Sequence, residues 1–223
     1  MMKRLPYKII EFLGHGQNAA VFKVEYEGQE AAMKVQLGYC RKSAGIRSRT
    51  EFDVLKRLED VKNVPNPIDV LDYLEGTYQE LGLDACGLPL EKVVPKLFLR
   101  TNSHYFKSAL IMELIEGDFV FRPCDVLCDV LYQRVPKELI NHPSLDETFI
   151  NLKSVVGQVH DRKVLLPDDY SVMVKGNKPY LLDLHFSARF DDSFDFTIEK
   201  MFERDYRLIE AVRKIIKEEK EKI

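Results

Sequence analysis

The sequence predicts an α+β protein in two lobes, an antiparallel sheet with one helix over residues 1–115 and a mainly helical second part over 116–223. Three observations predict it. Residues 7–35 hold three strand-like runs, separated by a glycine turn and by Glu27-Gly28. Glu116-Gly117-Asp118 punctuates the chain, and helical signals dominate beyond it. The final segment, Thr197 to Ile223, is one long amphipathic pattern with a Lys/Glu run expected to be its solvated end.

The elements follow in order. Tyr7–Leu13, Ala20–Tyr26 and Glu30–Val35 read as a three-strand meander. The polar stretch Gly38 to Arg49 reads as a mobile loop, and Thr50 opens a helix with Phe52, Leu55 and Leu58 on one face. Pro65 and Pro67 break it, and a second helix is expected from Ile68 to about Leu81. Val93–Leu99 and Ser108–Ile115 read as a strand pair. Helices are expected over Cys124–Gln133 and from Ser144 to about Arg162, where Ser144 and Glu147 have capping-box spacing. Ser171–Val174 and Tyr180–Asp183 flank a hairpin turn. No internal repeat or low-complexity tract interrupts this layout.

Composition narrows the function classes. Apolar residues make up 45% and charged residues 31%, with a formal net charge of −3. That balance argues against a general nucleic-acid binder, which carries a basic excess. No apolar run has the length of a bilayer span, and no h-region follows the opening Met1-Met2-Lys3-Arg4, so we expect a cytoplasmic protein without a membrane partner. Cys40, Cys86, Cys124 and Cys128 form no CxxC pair and read as buried thiols, although Cys124 and Cys128 fall one helical turn apart. The five histidines (His15, His104, His142, His160, His185) show no HExxH, which argues against a histidine-based metalloenzyme.

The candidate chemistry begins at Gly14-His-Gly16-Gln-Asn-Ala, a turn between strands. Backbone N–H groups approach phosphate where side chains are absent, so such a turn can cradle a nucleotide or can be purely structural. It is no Rossmann fingerprint, which passes from strand into helix, and no P-loop, which needs Gly-Lys-Ser/Thr. Lys34 lies mid-strand in Ala31-Ala-Met-Lys34-Val, where a lysine can hold phosphate as a point charge or ride the exposed face of the strand. Glu51 lies 17 residues later on the expected helix and could reach back to it.

Taken together, the Gly14-x-Gly16 turn, the Lys34 strand and the Glu51-x-x-x-Leu55-x-x-Leu58 helix resemble the small lobe of the protein-kinase-like superfamily in order and spacing. Ala109 to Gly117 looks like the hinge of that family, and Tyr180-Leu-Leu-Asp183-Leu-His looks like its metal-binding DFG segment rewritten. The resemblance covers most of the chain, with an apparent insertion at about 62–92. It implies a bilobal kinase-like fold, ATP and Mg²⁺ as ligands, and phosphoryl transfer to a Ser/Thr hydroxyl of a protein. It further implies that Gly14 and Gly16 cover the phosphates, Lys34 holds them, and Glu51 orients Lys34. Glu113 to Ile115 would offer backbone groups to adenine, and Asp183 would bind Mg²⁺.

The catalytic loop departs from the family pattern. Counting back from the hairpin puts Ser171 at the position of a second metal ligand and Leu166 at the base. Counting forward from His160 puts Asp168 at the base, in a loop about two residues short. Asp168-Asp169 can also be a plain loop or capping pair. No activation segment ending in Ala-Pro-Glu separates Asp183 from the last helix, so the chain looks more like a small atypical prokaryotic kinase than a eukaryotic signalling enzyme. Asp205 reads as a surface charge, the alternative being an anchor for the catalytic loop. Two other readings stand beside transfer to a protein: a pseudokinase working as a binding module, and a kinase for a small-molecule acceptor of the aminoglycoside or sugar type.

Overall fold

The computed structural model describes residues 5–15, 19–38, 41–74, 106–129, 137–167, 170–184, 188–189 and 195–222. These residues form an α+β structure of two compact units, one of residues 1–53 with 66–114 and one of 54–65 with 115–223. No helix among the described residues is long and apolar enough to cross a membrane.

The first unit is a five-stranded antiparallel sheet in the order β1-β2-β3-β5-β4. Its strands are β1 (Tyr7–His15), β2 (Ala19–Tyr26), β3 (Gln29–Gly38), β4 (Pro67–Leu74) and β5 (Phe106–Glu113). The β2–β3 turn is tight because Glu27 and Gly28 both adopt positive φ, 50° and 83°, which matches the twist of a two-residue hairpin. In β2, Ala20, Phe22, Val24 and Tyr26 are buried while their neighbours are more exposed. They meet Ala31, Met33 and Val35 of β3 and Ala109 and Ile111 of β5 in one apolar cluster. The alternate residues of β3, Ala32, Lys34 and Gln36, are buried on the opposite face.

Two expectations are corrected here. The stretch expected to be a loop from Gly38 to Arg49 is largely helix, since α1 runs Arg41–Arg57. Among its described side chains the buried ones are Ser48, Glu51, Val54 and Leu55, with Leu58 just past its end, so the described turns before Val54 show no apolar periodicity. The expected helix from Ile68 is β4, an edge strand whose Val70 and Leu71 pair with Leu110 and Ala109. Its spacing suits either element, and pairing with β5 decides. Pro67 opens the strand, a place where a missing N–H is tolerated. The expected strand Val93–Leu99 and most of the insertion at 62–92 lie outside the described residues.

The second unit holds a three-stranded antiparallel sheet in the order β6-β8-β9, made of Phe119–Phe121, Ser171–Lys175 and Lys178–Leu182. A two-stranded ribbon pairs β7 (Val164–Leu165) with β10 (Ala188–Arg189). Its helices are α2 (Pro123–Asp129), α3 (Lys137–Ile140), α4 (Leu145–Asp161) and α5 (Asp195–Lys220). Helix α4 buries Phe149, Leu152, Val156 and Val159, and α5 buries Ile209, Val212 and Ile216. Lys217 and Arg213 of α5 both bond Asp146 of α4 and hold its carboxyl below the usual range.

Ser144 does not form the expected capping box, because its φ of −111° and ψ of 37° leave its hydroxyl without a cap hydrogen bond. The Ser144 carbonyl instead accepts from the N–H and the hydroxyl of Thr148, and Glu147 accepts from Asn177 Nδ2 at 2.6 Å.

Gly117 has a steric role. A Cβ there would lie 2.4 Å from Met173 Cγ and 2.8 Å from the Val174 carbonyl, where the Asp118 N–H also bonds at 2.6 Å. Gly117→Ala is expected to cost about 1–3 kcal/mol through overpacking against backbone that cannot retreat. Urea midpoints of the two proteins check this, and equal midpoints would show that the Asp118 contact gives way freely.

Candidate functional site

In the first unit, the centre is a buried polar cluster between β3 and α1. Lys34 Nζ donates to both carboxylate oxygens of Glu51, at 2.8 and 2.9 Å. The side chains are only 4% and 2% exposed. Gln36 shares the Lys34 face two residues on, and its Nε2 donates to Glu51 Oε2 at 2.9 Å. One turn before Glu51, the Ser48 hydroxyl bonds that of Ser108 at 2.6 Å, and Ser108 sits opposite Gln36 across the β3–β5 ladder. Arg49, exposed on the same turn, pairs with Asp72 of β4.

The β1–β2 connection that would cover a phosphate chain is described only at its ends. Gly14 lies within β1 opposite Val21, beside a register shift, and a Cβ there would meet no atom within 4 Å. Gly16 lies outside the described residues. Glu113 ends β5; its N–H donates to the Asn66 carbonyl at 2.8 Å, and its Oε2 accepts from Asn66 N and Nδ2. That N–H is committed within the protein. Ile115 follows, half-buried, in chain without regular secondary structure.

In the second unit, Ser171 at the start of β8 and Asp183 just past the end of β9 come together because Ser171 pairs with Leu182 in the hairpin. Ser171 Oγ donates to Asp183 Oδ2 at 2.6 Å, and Arg122 Nε donates to the same hydroxyl at 3.3 Å. Asp183 is half-buried and holds φ at 62°. Left-handed backbone at a residue other than glycine costs about 1–3 kcal/mol and persists where surrounding contacts impose it, often at ligand sites. A carboxylate is a hard-oxygen donor, so Asp183 fits Mg²⁺. Among the described residues no three His, Cys, Asp or Glu side chains converge on one point.

Asp168, the candidate base, and Asp169 lie outside the described residues. The residues around them are informative. Leu166, the base position in the other register, is a buried core side chain and offers no proton acceptor. Tyr170 is buried without a hydrogen-bond partner for its hydroxyl, and burial pushes its phenol far above the ordinary range, so it is no acid or base near neutral pH.

A second buried cluster adjoins Leu166. His160 Nε2 and Asp205 Oδ2 are 3.0 Å apart, and Asp205 is 1% exposed. Asp205 is therefore no surface charge, which corrects the expectation. Arg204 binds Asp205 Oδ1 through Nε and Nη2 and reaches the Leu166 carbonyl at 3.0 Å. His160 stacks on Phe202, with ring centroids 3.9 Å apart, and meets Tyr206 edge-on.

Sequence reasoning named Lys34, Glu51, Ser171 and Asp183 and missed Gln36, Ser48, Ser108 and Arg122. Gln36 had one signal, its place two residues from Lys34 on the same strand face. Arg122 had none, since its partner Ser171 is 49 residues away. No protein-family model matches the chain, and no curated protein matches its sequence.

Proposed function

We propose that this is a kinase-like ATP-binding protein that transfers a phosphoryl group from ATP to a Ser/Thr hydroxyl of a protein. The observation that carries the reading is the buried Lys34–Glu51 pair with Gln36 fixing the carboxylate. A buried ion pair is generally no more stabilising than apolar packing of the same volume, so keeping one on a sheet face argues for a job beyond stability. A pre-oriented ammonium suits the phosphates of a nucleotide.

In this reading Lys34 neutralises phosphate charge, and Glu51 and Gln36 keep its ammonium aimed. Gly14 and Gly16 leave room for phosphate beside the backbone. Because the Glu113 N–H is already bonded, adenine takes its hydrogen bonds from other backbone groups of the segment ending at Ile115. Asp183 holds Mg²⁺, which when bound neutralises charge on the phosphate oxygens. Asp168 accepts the proton of the acceptor hydroxyl, a role typically worth about 10²–10⁴-fold in rate.

A second reading has its own support. Leu166 is buried and apolar, and if it occupies the base position the protein binds nucleotide without transferring phosphate. Two measurements separate the readings. Mg-ATP at 100 times Kd is expected to add about 2.7 kcal/mol of apparent stability in either case. Release or transfer of labelled γ-phosphate is expected from the wild type and not from Asp183→Ala. Thermal stabilisation with equal, background turnover in both proteins would select the binding module, and no stabilisation of folded protein would overturn nucleotide binding itself.

A further inference from the structure

We infer that the Arg122 guanidinium stands in for a second metal ion beside Asp183, so that the second unit holds one divalent cation and grips a phosphate oxygen through arginine. This rests on the ATP and Mg²⁺ reading and goes beyond it in the number of metals and in a residue that reading does not use.

The bonding at Ser171 carries the inference. A serine hydroxyl has one proton and two lone pairs. Its proton goes to Asp183 Oδ2 at 2.6 Å, and Arg122 Nε donates to the oxygen at 3.3 Å. A divalent cation on the remaining lone pair would stand next to a guanidinium bonded to the same atom, and like charges that close repel strongly in a partly buried site. Mg²⁺ also keeps several of its waters, for which Ser171, 3% exposed, leaves no room. Ser171 therefore orients the Asp183 carboxylate instead of ligating a metal itself.

Arg122 is suited to the vacated role. It is half-buried where β6 passes into α2, and among the described residues no carboxylate pairs with it. Its remaining N–H donors form a planar fork that matches two phosphate oxygens, which a hydrated ammonium does not. One metal on Asp183 and one guanidinium together bring three positive charges, one fewer than two metals would bring.

Mn²⁺ binding followed by electron paramagnetic resonance, with a non-hydrolysable imido analogue of ATP, tests this. One bound Mn²⁺ per chain is expected at saturation, and two would overturn the inference while leaving nucleotide binding intact. Wild-type protein that binds no Mn²⁺ with the analogue would overturn both. This count uses the unaltered chain and does not depend on a variant folding. Arg122→Met is expected to weaken analogue binding about tenfold or more, the scale of a lost charged hydrogen bond, and to leave adenosine affinity unchanged. Arg122→Lys is expected to recover part of the loss. Unchanged analogue affinity in the folded Met variant would overturn the role of Arg122.

Discussion

Glu51→Leu is expected to destabilise the protein by about 3–5 kcal/mol, because it takes both carboxylate acceptors from the Lys34 ammonium in a buried site. Lys34 Nζ donates to both Glu51 oxygens, and the pair is almost wholly shielded from water. Removing the carboxylate takes two acceptors from a desolvated charge and also deprives Gln36 Nε2 of its acceptor. The loss should appear as a lower urea midpoint.

The double variant Lys34→Met/Glu51→Leu is expected to regain much of that stability, since replacing both members of a buried pair by apolar side chains is often neutral or better. The recovery stays incomplete while Gln36 lacks a partner, a shortfall of about 1–3 kcal/mol that adding Gln36→Leu should reduce. ATP binding, by contrast, should be absent from all three proteins. That contrast separates function from architecture. A double variant as stable as the wild type that still binds ATP would remove Lys34 from the site, whereas one as unstable as Glu51→Leu would show that the pair is needed to fold.

How far the sequence reveals these features depends on where the partner of each residue lies. The β2 strand was legible because apolar and polar residues alternate along it, and the Glu27-Gly28 turn because few residue pairs accept two positive φ angles. Lys34 and Glu51 were legible because strand and helix follow each other directly. The part of α1 before Val54 was not: among its described side chains the buried ones are Ser48 and Glu51, and polar residues that satisfy one another across a fold leave no hydrophobic period. The β4 strand was misread because a short apolar run fits both periods, and its pairing partner β5 lies far along the chain. Asp205 was misread for a related reason. A lone acid in an amphipathic helix looks solvated until His160, 45 residues away, is placed beside it.

Asp205→Ala is expected to cost about 3–5 kcal/mol, for the reason that applies to Glu51: it removes one member of a buried, hydrogen-bonded set. His160 Nδ1 already lacks a partner, and losing Asp205 would leave Nε2 without one as well. Asp205→Asn keeps the shape and one acceptor, so its expected cost is smaller, about 1–3 kcal/mol. The Asn variant is the more informative protein. With the amide oxygen turned to accept from His160, the NH2 group faces Arg204 and accepts neither of its bonds, so Arg204 loosens, and with it the Leu166 carbonyl that it holds at 3.0 Å. Leu166 stands two residues before Asp168. If Asp168 is the base, a displacement of about 1 Å there can lower turnover by up to about 10²-fold while leaving ATP affinity untouched. Single-turnover transfer set against equilibrium ATP titration reads this directly. Turnover falling with Kd constant would make Asp205 a positioning residue for the transfer step, and a parallel fall in both would confine it to holding α4 and α5 together.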